Sequence, residues 1–226
     1  MRSVRRSTVV MSAALLVAMA PEVGAQATFS ARSAVVNLGG SAAPNDIDNT
    51  FNKAGLSVSY TSDVTSFNTY IAGNPRHALA YFGNEWFSAP GNTSATVTYD
   101  FGAVRSLDRF ALWNEETSGI GLLNILGSTD GVNFATILSG LTPPDNPVGA
   151  DYGATVYSFS TTSARYFRMQ MSNCPQRIQT YVGCAIGEVA WRSAMDQSVV
   201  PEPSSVLLLA SGLLALGGTV ARRRRA

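Results

Sequence analysis

The sequence is poor in the residues that catalysis and metal binding draw on. Its 226 residues include one histidine, His77, and two cysteines, Cys174 and Cys184. A Ser-His-Asp or Cys-His arrangement would have to be built on His77, and no Gly-x-Ser-x-Gly elbow occurs in the chain. Paired carboxylates are available, but no motif selects a pair. There is no internal repeat and no sustained helical periodicity between the two ends. Long apolar runs are missing too. Residues 9–20 and 206–220 are apolar, yet each is shorter than the roughly 20 residues a helix needs to cross a bilayer. The missing catalytic motifs argue against an enzyme.

The two ends carry processing signals. Arg2, Arg5 and Arg6 precede the apolar run 9–20, and Ala25-Gln26-Ala27 supplies a small-x-small cleavage site. That layout predicts a secretory signal peptide over residues 1–27. A buried N-terminal helix is the alternative, but it would crowd three arginines at its positive end. Near the other end, Pro201-Glu202-Pro203 is followed by the apolar run 206–220 and by Arg222, Arg223, Arg224 and Arg225. Four arginines cross a membrane at high cost and should stay cytoplasmic. Residues 194–203 therefore read as a linker and 204–226 as an apolar helix with its arginine cluster.

The Pro-Glu-Pro motif, short apolar helix and terminal arginines together resemble the PEP-CTERM sorting signal of Gram-negative bacteria. The resemblance implies recognition of the tail by an exosortase-type membrane protease. It also implies an exopolysaccharide setting, and a membrane contact through the C-terminal helix before processing. A plain, unprocessed membrane anchor is the alternative, and it also leaves the domain exported to the envelope or cell surface.

Trimming both ends changes the charge. The formal value of +1 contains seven terminal arginines, Glu22 and Glu202; without them 9 basic and 13 acidic residues remain, a net charge of −4. A nucleic-acid partner, which needs a basic face, is not expected. Both cysteines lie in the trimmed part. An even count in an exported chain predicts a Cys174–Cys184 disulfide, the alternative being a metal-binding or nucleophilic cysteine without supporting ligands.

From Ser94 onward short alternating segments dominate. Val97, Tyr99 and Phe101 oppose Thr96, Thr98 and Asp100; Phe110 and Leu112 oppose Arg109, Ala111 and Trp113. Phe167, Met169 and Met171 oppose Tyr166, Arg168 and Gln170, while Val189 and Trp191 mark a last strand. An Asp130-Gly131 pair between apolar runs predicts a hairpin. Many short strands with turn-rich spacers predict an all-β, antiparallel β-sandwich over residues 28–193. Residues 28–80 are less regular.

Several motifs resemble discoidin or coagulation-factor C-type domains, which are galactose-binding-like jelly rolls. These are Glu85-Trp86-Phe87-Ser88, the strand ending Asp100-Phe101-Gly102, Ser128 to Phe134, Ala164 to Arg168, and Gly187-Glu188-Val189. The resemblance implies a non-catalytic module for sugars, lipids or proteins, bacterial relatives commonly binding carbohydrate through loops at one end. Sugar recognition needs aromatic faces and planar polar groups, so Arg76, His77, Tyr81, Trp113, Asn114 and Glu115 are candidates. Asn84, Glu85, Trp86 and Glu116 lie nearby. Trp86 is expected as a core anchor, Trp113 either packs or stacks on a ligand, and Glu115-Glu116 reads as a solvated turn. The resemblance also implies a structural calcium at Glu188, but the expected acidic pair before the tryptophan is missing. Asp63 and Thr65 are weak substitutes, and a buried Glu188 bonded to amides or paired with an arginine is the alternative. Arg165 and Arg168 are expected to pair with acidic groups on the sandwich face. The leading expectation is binding of extracellular polysaccharide without a cofactor; the alternative is a structural matrix or surface protein making protein contacts only.

Overall fold

The alternating segments, broken by Gly, Asn and Pro turns, leave the backbone extended. The computed structural model describes residues 26–80, 83–177 and 181–194. Among these the strands are β1 (Thr28–Phe29), β2 (Ser33–Leu38), β3 (Arg76–His77), β4 (Trp86–Phe87) and β5 (Ala95–Asn114). They continue with β6 (Leu122–Ser128), β7 (Ala135–Leu141), β8 (Tyr152–Gly153), β9 (Thr155–Ser172) and β10 (Ala185–Ser193). One short helix, α1 (Phe67–Ala72), and a 3-10 turn at Ile47–Thr50 complete the elements. The signal peptide and the sorting tail lie outside the described residues.

Every strand pairing is antiparallel. The main sheet runs β1-β10-β5-β9-β6-β7, with β2 also on β5 and β4 also on β10. Strands β5 and β9 build the sandwich by crossing between its layers. The first half of β5 pairs with β2, the second half with β10, and the register slips between Asp100 and Arg105. Such irregularities bend a strand and let one chain serve two layers.

The core lies between the layers. Trp191 sits 5.0 Å from the ring centroids of both Tyr99 and Phe101 and 5.5 Å from Phe167, all edge-on. Phe29 packs edge-on against Phe101 at 5.1 Å. Full burial of such side chains stabilises by about 2–3 kcal/mol each. The alternation expected for Val97, Tyr99 and Phe101 is the alternation found, with all three buried. The disulfide Cys174–Cys184 forms, tying the end of β9 to the start of β10.

A second layer of packing was not visible in the sequence. Ala185 to Arg192 of β10 are buried at every position, so this part of the sheet is covered on both faces. Tyr60, Phe67 and Tyr70, from the irregular segment and α1, pack on Ala111, Trp113 and Ala190. Trp113 does point away from Phe110 and Leu112, but onto this cover rather than into solvent.

Candidate functional site

The residues expected at a sugar-binding loop edge divide sharply by exposure. Arg76 is exposed, and its guanidinium donates to the Asp151 carbonyl. Tyr81 lies outside the described residues. His77, Trp113, Asn114 and Glu115 are all buried, which corrects their assignment to an open ligand edge. Trp113 donates its indole N–H to the Pro75 carbonyl at 3.0 Å. The Asn114 amide donates to Pro144 at 3.0 Å and Gln176 at 2.9 Å, and accepts from the Ile120 amide at 2.8 Å. Its hydrogen-bonding capacity is spent on bracing loops. His77 stacks on Tyr152 at 5.1 Å, donates from Nδ1 to the Ala78 carbonyl at 2.9 Å and lies 3.6 Å from the Glu85 carboxylate. Burial lowers its pKa.

Glu115 and Glu116 do not form a solvated turn either. Glu115 Oε2 accepts from the amides of Thr117, at 2.9 Å, and Ser118. Glu116 accepts from the Ala80 amide at 3.2 Å and the Gly149 amide at 3.1 Å, joining two loops. Burial pushes Glu115 up to about 7, against the opposing pull of the Ser118 and Thr117 amides. Trp86 is fully buried and donates to Ser41 Oγ at 2.8 Å, the geometry of a core anchor.

The calcium candidates are not brought together. Asp63 forms a two-pronged ion pair with Arg105, at 2.5 and 3.1 Å, and Thr65 Oγ1 accepts from the Thr61 amide at 2.9 Å. Glu188 is buried on β10 opposite Trp113, where its Oε2 accepts from the Lys53 amide at 2.9 Å. Burial raises the Glu188 pKa well above the usual carboxylate range. Arg105 and Trp113 stand near opposite ends of the second half of β5, so these three oxygen donors do not converge on one ion. Among the described residues no group of three or more His, Cys, Asp or Glu side chains is placed to hold a metal.

Among the described residues a concavity opens to solvent on the outer face of the first layer, the layer of β2 and the first half of β5. It encloses about 330 Å³ and is lined by β2 (Ser33, Ala34, Val35, Asn37), β5 (Thr98, Asp100), the β6–β7 turn (Asp130, Gly131) and β9 (Tyr166, Arg168). Strand register explains its floor: Thr98 stands opposite Arg168 and Val35, and Asp100 stands opposite Tyr166 and Ser33. Arg168 donates from Nε to Thr98 Oγ1 at 2.9 Å, and its guanidinium lies 3.6 Å over the Phe134 ring. Thr98 in turn donates to Asn37 Oδ1 at 2.6 Å.

The β6–β7 turn forms one wall. Asp130 Oδ1 accepts from Ser128 Oγ, Val132 N and Asn133 N at 2.8 to 2.9 Å, while Oδ2 takes the Asn133 side chain at 2.8 Å. These bonds hold the carboxyl well below its ordinary range. Gly131 has φ +78°, and a Cβ there would stand 3.1 Å from the Tyr166 ring; glycine lets the turn close on that ring. Asp100 accepts both prongs of Arg165 at 2.9 Å and the Gly102 amide at 2.7 Å, which lowers its pKa. Arg165 is thus paired as expected; Arg168 rests on a hydroxyl and a ring instead. Thr98 and Arg168 were legible as outward residues of their strands. That they meet was not, because the register between them is invisible in sequence.

No curated protein matches the chain. Solved structures resemble it distantly. The chitosan-binding module 1 of a chitosanase/glucanase from Paenibacillus sp. IK-5 is 17% identical, with 75% of this chain and 96% of that chain covered at a TM-score of 0.47. CpGH89CBM32-5 from Clostridium perfringens, in complex with GalNAc-β-1,3-galactose, is 14% identical over 72% of this chain and 94% of that one, at a TM-score of 0.45. A family model describes the other end of the molecule: residues 199–225 match the PEP-CTERM protein-sorting motif, so the chain carries the sorting signal of an exported, membrane-associated protein.

Proposed function

We propose that this protein is a surface-retained, non-catalytic binding protein for extracellular polysaccharide, and that the groove on the first layer is its binding site. One observation carries the reading. The Thr98 hydroxyl, Asn37 amide and Arg168 guanidinium are hydrogen-bonded side by side on a sheet face around a cleft of about 330 Å³, the range of small-ligand sites. Hydroxyl-rich ligands are recognised by such planar, pre-oriented polar groups. The sorting motif at 199–225 supports delivery to the envelope of a Gram-negative bacterium, with an exosortase-type membrane protease as the partner that handles the tail.

A second reading has one observation in its favour. Among the described residues strand β2 pairs on one side only, and its Val35 and Leu38 are 60% and 58% exposed; such a partly apolar edge also suits a protein partner. A glycan and exopolysaccharide panel on the purified full-length chain separates the two. Saturable binding that is lost in folded Tyr166→Ala and kept in Arg76→Ala is the expected result. No binding to any polymer by a folded protein would leave the protein-contact reading standing.

A further inference from the structure

The groove has an unmatched cation. Arg105, Arg165, Arg177 and Arg192 each meet a carboxylate: Asp63, Asp100, Asp145 and Asp108 respectively. Among the described residues Arg32, Arg76, Arg109 and Arg168 meet none, and of these four only Arg168 lines the groove. Its Nε is held by Thr98 and its plane by Phe134, while Nη1 and Nη2 make no hydrogen bond among those residues. The two carboxylates that line the same groove cannot serve as its partner. Asp100 is filled by Arg165 and the Gly102 amide, and Asp130 by the donors of its own turn. What the groove offers a ligand at this point is therefore a forked, positively charged donor, held in plane before the ligand arrives.

We propose that the groove selects acidic saccharides, the carboxylate of a uronic acid unit taking both terminal nitrogens of Arg168. The proposal rests on the groove being the polysaccharide site. A planar guanidinium with two free donors matches a carboxylate two-pronged, and a charged pair of this kind is stronger than the same bonds made to neutral hydroxyls. Stacking on Phe134 and the Thr98 bond remove much of the side-chain freedom that binding would otherwise cost. Residues 28–200 carry a net charge of −4, which repels polyanions in general, so within this part of the chain the attraction must be local to Arg168.

The test is isothermal titration of the full-length chain with polygalacturonate, alginate and hyaluronan, each beside its carboxyl-reduced form. Arg168→Gln and Arg168→Lys are run alongside, with thermal melts to confirm folding. The expected result is binding of at least one uronate polymer with its reduced form bound at least tenfold more weakly. Arg168→Gln should lose at least tenfold for the uronate form alone, and Arg168→Lys, which keeps the charge without the fork, should fall between. Equal binding of native and reduced polymers, unaffected in Arg168→Gln, would overturn the acidic selectivity while leaving polysaccharide binding intact. Absence of binding to every polymer in the wider panel would overturn both.

Discussion

Glu115 gives the sharpest test of the interior. Its carboxyl is buried, with Oε2 held by the Thr117 and Ser118 amides and Oε1 without a hydrogen-bond partner. Burial raises its pKa from 4.5 to about 7. A carboxyl raised on folding contributes stability that is full below its unfolded pKa and is lost as pH climbs through the folded one. A shift of about 2.5 units corresponds to roughly 3 kcal/mol, lost between about pH 4.5 and pH 7. Glu115→Gln keeps the shape and cannot ionise, so it should escape that loss. At about 2–4 °C per kcal/mol for a domain of this size, its melting temperature relative to the parent should rise by roughly 6–12 °C from pH 4.5 to pH 8. His77, whose lowered pKa makes stability fall as pH drops, pulls the other way, but it is present in both proteins and cancels in the difference. Circular-dichroism melts at half-unit pH steps provide the measurement. A melting difference that stays flat across this range, or that falls as pH rises, would refute a buried, raised Glu115.

Two further outcomes follow from covalent and steric constraints. Replacing Cys174 and Cys184 together by serine opens a loop of sequence separation 10, which the chain-entropy relation values at about 2.7 kcal/mol. The parent treated with reductant should show a matching fall in melting temperature, and an unchanged melt would contradict the bridge's contribution. Gly121→Ala would place a Cβ 2.4 Å from the Asn173 carbonyl oxygen, a backbone atom beside the disulfide. We expect a loss of about 2 kcal/mol or more in urea unfolding, and a neutral result would mean that this loop yields easily.

How far the sequence could be read depended on what each signal encodes. Alternation encodes which strand face is apolar, so Val97, Tyr99 and Phe101 were legible as core. It does not encode whether the opposite face is covered. Trp113 was therefore ambiguous until the segment carrying Tyr60, Phe67 and Tyr70 was seen to lie over it. Glu115 and Glu116 have the composition of a surface turn, and their burial comes from loops distant in the chain: Ala80 and Gly149 donate to Glu116 across separations of 36 and 33 residues. The groove follows the same rule. Thr98 and Arg168 are 70 residues apart, and only strand register makes them neighbours. Local chemistry such as the Asp130-Gly131 turn needed no such information and was visible from the outset.

The pairing of β1 with β10 has a mechanical side. Thr28 stands opposite Arg192 and Phe29 opposite Trp191, so both ends of the folded region leave from one edge. Tension applied at residue 194 while the groove is gripped pulls along the axis of β10. It loads the β10–β5 ladder in shear, with the Arg192–Asp108 ion pair and the Ser193–Ala27 backbone bond sharing the force. Bonds loaded side by side must fail together, whereas bonds peeled from one end fail in turn. A pull on the C-terminal end of β10 is thus met by a whole ladder at once.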